Sequence, residues 1–182
     1  MAEYKISEKS IEEQVEDIVK VMFNKANIRY YTKNEPVNSA IDNALAIGKS
    51  KSGGEGGNYP DIKLVNRDGV PIMIEVKGDF DSLMKYHINL DTDCRAYLEY
   101  EEPNIVTKYA INGALHYGKV LLDNTDYPFV YVVGITGYYG PNTPSEYDEN
   151  NKRIVHLRYG SIKMTRDKEK YNSKDILQDF PL

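Results

Sequence analysis

One stretch constrains this chain more than any other: DIKLVNRDGVPIMIEVKGD, residues 61 to 79. Two runs of alternating apolar residues flank an Asp68-Gly69 turn signal, the pattern of a β-hairpin. A three-residue loop, Arg67-Asp68-Gly69, lets Gly69 supply the positive φ that such loops need. It sets Asp61 opposite Glu75, Ile62 opposite Ile74, Lys63 opposite Met73 and Leu64 opposite Ile72. Ile62, Leu64, Ile72, Ile74 and Val76 then share one face, which is expected to be the core face. Asp61, Lys63, Glu75 and Lys77 share the other. A two-residue Asp-Gly loop would place Ile62 opposite Glu75 and scramble both faces. The apolar pattern therefore selects the register that sets two carboxylates side by side.

Carboxylates directly opposite across two strands repel, and a cation between them relieves the repulsion. Mg²⁺ suits the position, because it takes one or two carboxylates together with waters and phosphate oxygens. Lys77, two residues after Glu75, projects to the same side. There its ammonium can orient the attacking water and stabilise charge on a phosphate. A metal at that point acts as a Lewis acid on a phosphoryl oxygen. The pattern thus points to phosphodiester hydrolysis. The plain alternative is a solvated strand face carrying a surface salt bridge.

The rest of the chain supplies a scaffold. Its 182 residues suffice for one domain with a sizeable core. Ser10 with Glu13 reads as a capping box opening an amphipathic helix from 10 to 25. Pro36 opens an Ala-rich second helix over 36 to 48. The Gly-rich KSKSGGEGGNYP follows, a loop without the GK[ST] ending of a triphosphate site. Residues 81 to 102 read as mostly irregular, with at most a short helix. A helix is expected over 104 to 122 and a buried strand at FVYVVGITG. KRIVHLRYG is a further strand, and a polar tail begins at about 161. The expected order is α-α-β-β-α-β-β, an α/β (α+β) chain with a mixed sheet of four to five strands.

Other classes are disfavoured. No apolar run is long enough to span a bilayer, and MAEYKISEKS lacks a signal core, so a cytoplasmic protein is expected. Cys94 is the only cysteine and builds neither a disulfide nor a zinc site by itself. His87, His116 and His156 show no paired metal spacing. The net charge of −5 is unlike that of a freestanding nucleic-acid binder. It weighs against a nuclease without excluding a nuclease domain whose DNA affinity resides in another module.

At Pro60-Asp61 and Glu75-Val76-Lys77 the sequence resembles the PD-(D/E)xK nuclease superfamily. The lead-in GGEGGNYPD, the strand IMIEVK, the Gly-Asp after Lys77 and the helix NGALHYGK make it similar to a narrower group. That group is the N-terminal endonuclease domain of type IIG, type I-like, restriction-modification enzymes. The resemblance covers about residues 10 to 135 and implies a restriction-endonuclease-like fold. It implies Mg²⁺, with Mn²⁺ able to substitute, held by Asp61, Glu75 and the backbone carbonyl of Val76, with Lys77 as the catalytic lysine. The family often adds an acidic residue from the first helix. Glu12, Glu13 and Glu16 qualify, and Glu16 is favoured because Glu13 is spent on the cap.

Lys108, Asn112 and His116 form a four-residue polar stripe on the 104 to 122 helix. Related nucleases use such a stripe to support the lysine or touch the DNA backbone, so Asn112 and His116 are candidates. A clear Gln-x-x-x-Tyr motif is absent, although Tyr117 is near. Lys49 and Lys51, and further on Lys152, Arg153 and Arg158, are candidate phosphate contacts. The implied partners are double-stranded DNA, methyltransferase and target-recognition regions in a longer parent protein, and a second copy for double-strand cleavage. The stretch from 161 to 182 would then be a linker. A repair or junction-cleaving nuclease of the same superfamily is one alternative. A non-catalytic nucleic-acid- or protein-binding module on the same fold is another.

Overall fold

The computed structural model describes residues 10–55, 57–88, 96–98, 102–139, 149–150 and 156–165. Helix α1 (Ile11–Lys25) opens with the expected capping box: Ser10 Oγ accepts from the Glu13 amide at 3.2 Å, and Glu13 returns a carboxylate to the Ser10 amide at 2.7 Å. A two-residue strand β1 (Tyr31–Thr32) and helix α2 (Ser39–Ile47) follow. Pro36 lies outside α2, because Asn38 caps it by accepting from the Ile41 amide at 2.9 Å. Strands β2 (Ile62–Val65) and β3 (Pro71–Asp79) form the hairpin. A 3₁₀ turn (Phe80–Ser82) leads to a small sheet of β4 (Tyr86–Ile88) and β5 (Ala96–Leu98), where mostly irregular chain was expected. Helices α3 (Pro103–Lys108) and α4 (Ala110–Asn124) precede β6 (Phe129–Tyr139) and β7 (Leu157–Thr165).

The main sheet has five strands in the order β1-β2-β3-β6-β7. Only β3 and β6 run parallel, and α3 and α4 lie in the crossover that a parallel pair requires. The architecture is the α+β, restriction-endonuclease-like arrangement of a mixed sheet flanked by helices. Among the described residues, no helix is long and apolar enough to cross a membrane.

The hairpin pairs Ile62 with Ile74, Lys63 with Met73 and Leu64 with Ile72, as its apolar pattern requires. Asn66 closes the loop: its amide donates to the Val70 carbonyl, and its side-chain oxygen accepts from the Asp68 and Val70 amides. Gly69 takes φ +79°, a conformation that favours glycine.

Four further findings refine these expectations. The first is that both faces of the hairpin are covered. Val15 and Val19 of α1 cover Ile62, Ile74 and Val76, while α2 and α4 cover the opposite face around Met73. Lys63 and Glu75 are each only 1% exposed. Lys63 lies under this second layer and donates to the carbonyls of Lys33 and Glu35 at 3.1 and 2.6 Å. Alternation within a hairpin tells its two faces apart, but a crossover helix packed far along the chain decides whether both are covered.

Second, the 104 to 122 helix is two helices, broken where Tyr109 is extended (φ −107°, ψ 134°). The break sets the first turn of α4 against the sheet. A Cβ at Gly134 would lie 2.5 Å from the Ile111 amide, so only glycine admits that approach. Third, the polar stripe does not exist as expected. Lys108 belongs to α3, and Asn112 is fully buried. Fourth, the last strand runs through Thr165, with Ile162 and Met164 in the core, so residues 161 to 165 are sheet rather than linker. Residues 166 to 182, Cys94, Lys152 and Arg153 lie outside the described residues.

Candidate active site

The site forms where β2 begins and β3 ends. Asp61 precedes β2, and one of its carboxylate oxygens accepts from the Val76 amide at 2.8 Å. That bond fixes the carboxylate beside the neighbouring Glu75, as the register predicts. Glu75 is a buried carboxylate with two different oxygens. Its Oε1 meets the ammonium groups of Lys51 and Lys77, the latter at 3.3 Å. Its Oε2 is buried with no hydrogen-bond partner among the described residues. Gly113 of α4 packs on its stem: a Cβ there would lie 3.2 Å from Glu75 Cγ and 2.8 Å from the Val106 carbonyl oxygen.

The electrostatics follow from this packing. Burial, then the charge of Asp61, pushes the Glu75 carboxyl above its ordinary range, against the pull of Lys51 and Lys77. For Lys77 burial alone would lower the value. The carboxylates of Glu75, Glu12 and Asp61 together outweigh it, so the ammonium is held above its ordinary range. Lys77 is therefore a cation at neutral pH.

The first helix contributes a different residue from the one favoured. Glu16 pairs with Lys20 at 2.6 Å, on the helix's own surface. Glu13 is in the cap. Glu12 approaches the site, with its carboxylate 3.6 Å from Lys77 Nζ. Gly78 sets this placement, because a Cβ there would come within 2.8 Å of the Glu12 amide. The start of α1 rests on that bare backbone, and the site's rim is one turn earlier than expected.

The other candidates separate into groups. Asn112 accepts from the Lys85 amide and donates to the Lys85 carbonyl, both at 2.8 Å, so it ties α4 to the segment after β3. His116 donates through Nε2 to the Lys49 carbonyl at 2.8 Å. Burial lowers its pKa below the ordinary 6.5, helped by the charges of Lys51 and Lys119, which leaves it neutral at pH 7. Lys49 is exposed at the loop entrance, and Lys51 turns inward to Glu75. Arg158 stacks on Phe80, 4.5 Å from the ring centroid.

Two residues are added by the structure. Tyr117, one helical turn after Gly113, donates to Asn58 Oδ1 at 3.1 Å and to the Tyr59 carbonyl at 3.0 Å. It holds the segment leading to Asp61, and the four-residue step from Gly113 was a visible signal. Burial, then the charges of Glu75 and Asp61, pushes its phenol up, so it stays neutral. Thr136, paired with Lys77 across β3 and β6, has a fully buried hydroxyl with no hydrogen-bond partner among the described residues. Nothing in its sequence context marked it.

The donor set fits a hard divalent cation. The Asp61 and Glu75 carboxylates are close enough for the charge of one to act on the other, and one buried oxygen of Glu75 has no hydrogen bond among the described residues. Among the described residues no group of three or more His, Cys, Asp or Glu side chains could hold a metal. Two carboxylates still meet the protein share that Mg²⁺ requires, since it keeps several waters. Comparison of the chain with family models, with curated proteins and with solved structures finds no match.

Proposed function

We propose that this chain is a Mg²⁺-dependent DNA endonuclease domain that hydrolyses phosphodiester bonds. One observation carries the reading: Asp61, Glu75 and Lys77 converge at one end of the hairpin, with a buried Glu75 oxygen that has no hydrogen bond among the described residues. A solvated strand face does not account for that, because a buried carboxylate oxygen is costly unless something ligates it. Asp61, Glu75 and the carbonyl of Val76 would hold Mg²⁺, or Mn²⁺ in its place. When bound, the metal supplies Lewis-acid polarisation of the phosphoryl oxygen and acidifies a water.

The chain's own residues do the rest. Val76 donates its amide to Asp61 and holds that carboxylate in place. Lys77, kept cationic by three carboxylates, faces the phosphate and stabilises the negative charge that builds up during displacement. Glu12 fixes the lysine from the rim. The buried floor of Met73, Ile111 and Leu115 limits water on the helix side. The resemblance of Pro60-Asp61 and Glu75-Val76-Lys77 to type IIG restriction enzymes extends the proposal. The domain would act on double-stranded DNA in a restriction-modification system, beside methyltransferase and target-recognition regions, and pair with a second copy to cut both strands.

The test is plasmid cleavage across an Mg²⁺ or Mn²⁺ titration, with wild type beside Lys77→Ala. The account expects metal-dependent nicking or linearisation that falls by about 10²- to 10⁴-fold in the variant, the range of a lost proton-handling or charge-stabilising group. Cleavage that is unchanged by Lys77→Ala, or that proceeds in chelator, overturns the assignment.

A further inference from the structure

Lys51 is not part of the Pro-Asp and Glu-x-Lys pattern, yet it pairs with Glu75 as Lys77 does. The two side chains are 13% and 1% exposed, so this is a buried pair rather than a surface one. The lysine arrives on a built loop. Helix α2 ends at Gly48, whose amide donates to the Ala44 carbonyl at 3.0 Å. Ser50 then closes a small turn with Gly53 and Gly54, in which Gly53 takes φ +83°. His116 holds the Lys49 carbonyl at one end of the loop, and Tyr117 holds Asn58 and Tyr59 at the other. The Lys51 ammonium crosses 5.3 Å above the Tyr117 ring to reach Glu75. Two anchors from α4 thus aim one cation at one carboxylate.

The charge balance explains what that cation does. Asp61 and Glu75 are adjacent carboxylates, and Glu75 is buried. A buried anion needs a counter-ion. Lys77 is shared with Glu12, so Lys51 supplies much of the compensation. A divalent cation on the same carboxylates brings two positive charges to the place where the Lys51 ammonium sits. Lys51 sits on Glu75 Oε1, next to Oε2, so a dication held by Oε2 and Asp61 repels the ammonium beside it. Lys51 also lies on the wall of a cleft of about 570 Å³ between its loop and helices α3 and α4, where Lys49, His116 and Lys119 are neighbours. Its flexible stem can withdraw there without disturbing the anchored loop ends.

We infer that Lys51 is a built-in counter-ion that keeps Glu75 paired until a divalent cation displaces its ammonium into the adjoining cleft. This rests on the metal-site reading above. Lys51 is therefore a positioning residue: it competes with the metal and holds the loop closed over the site.

Two measurements on the full chain test it. The first is Mn²⁺ binding by isothermal titration calorimetry, without DNA, for wild type, Lys51→Met and Lys51→Arg, each checked for a cooperative melt. Lys51→Met should bind about tenfold more tightly, the size expected when a charge-assisted hydrogen bond need no longer be broken. Lys51→Arg keeps a cation and should stay within about threefold of wild type on the same reasoning. Equal or weaker binding by a folded Lys51→Met overturns the inference while leaving the metal site standing. Binding by none of the three proteins overturns the metal reading and the inference with it.

The second measurement needs no variant at position 51. Limited trypsin digestion of wild type should cut after Lys51 several-fold faster when Mg²⁺ is added, while cutting after Lys25 is unchanged. Glu75→Gln should lose the Mg²⁺ effect. A rate after Lys51 that is unchanged or slowed by Mg²⁺ overturns the displacement.

Discussion

Substituting Gly113 by alanine sets two effects of opposite sign against each other. Gly113 is inside α4, where glycine is about 1 kcal/mol worse than alanine, so helix propensity alone predicts a more stable protein. The packing predicts the reverse. The new Cβ would lie 2.8 Å from the Val106 carbonyl oxygen and 3.2 Å from Glu75 Cγ. The carbonyl belongs to α3 and cannot rotate away as a side chain would. Either α3 and α4 separate, or Glu75 is pushed off its position. Overpacking of this kind costs about 1–3 kcal/mol. It equals or exceeds the propensity gain, so a net loss of up to about 2 kcal/mol is expected. For a chain of this size that lowers Tm by up to about 8 °C.

The same displacement has a functional reading. A shift of the Glu75 side chain disturbs its place beside Asp61, and misplacement on the ångström scale can cost about 10²-fold in rate. Gly118→Ala is the control. Its Cβ would meet the side chains of Met164 and Val132, in the core beyond the site. Both variants are expected to melt earlier, measured by circular dichroism. Only Gly113→Ala is expected to weaken Mn²⁺ binding in calorimetry. A Gly113→Ala protein that melts higher than wild type and binds Mn²⁺ unchanged would refute the placement of α4 on Glu75.

Two further outcomes follow. Asn112→Ala removes both hydrogen bonds to the Lys85 backbone from a fully buried position, and urea unfolding should show a loss of about 1–3 kcal/mol; unchanged stability with weakened DNA binding would instead make Asn112 a contact residue. Glu75 gives a pH dependence with a definite sign. Its folded pKa is raised above the ordinary 4.5, so its contribution to stability is full below that value and is lost as pH rises through the raised one. Metal binding requires the deprotonated form. Added Mg²⁺ should therefore raise Tm more at pH 8 than at pH 5, with a gain at 100-fold excess over Kd of about 2.7 kcal/mol. Calorimetric scans at both pH values check it, and an equal gain at pH 5 would contradict the role of the Glu75 carboxylate.

Much of the site was legible because it is local. Ile62, Leu64, Ile72 and Ile74 alternate on strands joined by a short loop, and Gly69 fixes the loop's length, so the register could be read directly. The capping box of Ser10 and Glu13 is equally local. What failed depends on contacts between distant segments. Lys51 and Glu75 are 24 residues apart and meet only because α4 anchors the loop between them. Glu12, not Glu16, faces Lys77 because Gly78 lets α1 settle one turn further along. Asn112 falls on an open polar stripe only along a continuous helix. The break at Tyr109 turns it inward. Nothing near β3 in the sequence announces the helix that covers its charged face.

The most direct test of the account is a crystal structure of the protein soaked in Mn²⁺, with anomalous scattering to locate the ion. The account predicts one anomalous peak between Asp61 and Glu75, with oxygens of both carboxylates and of the Val76 carbonyl at about 2.1 Å, the distance for small octahedral divalent ions. A peak elsewhere, or none at saturating Mn²⁺ with Lys51 still on Glu75, would contradict it.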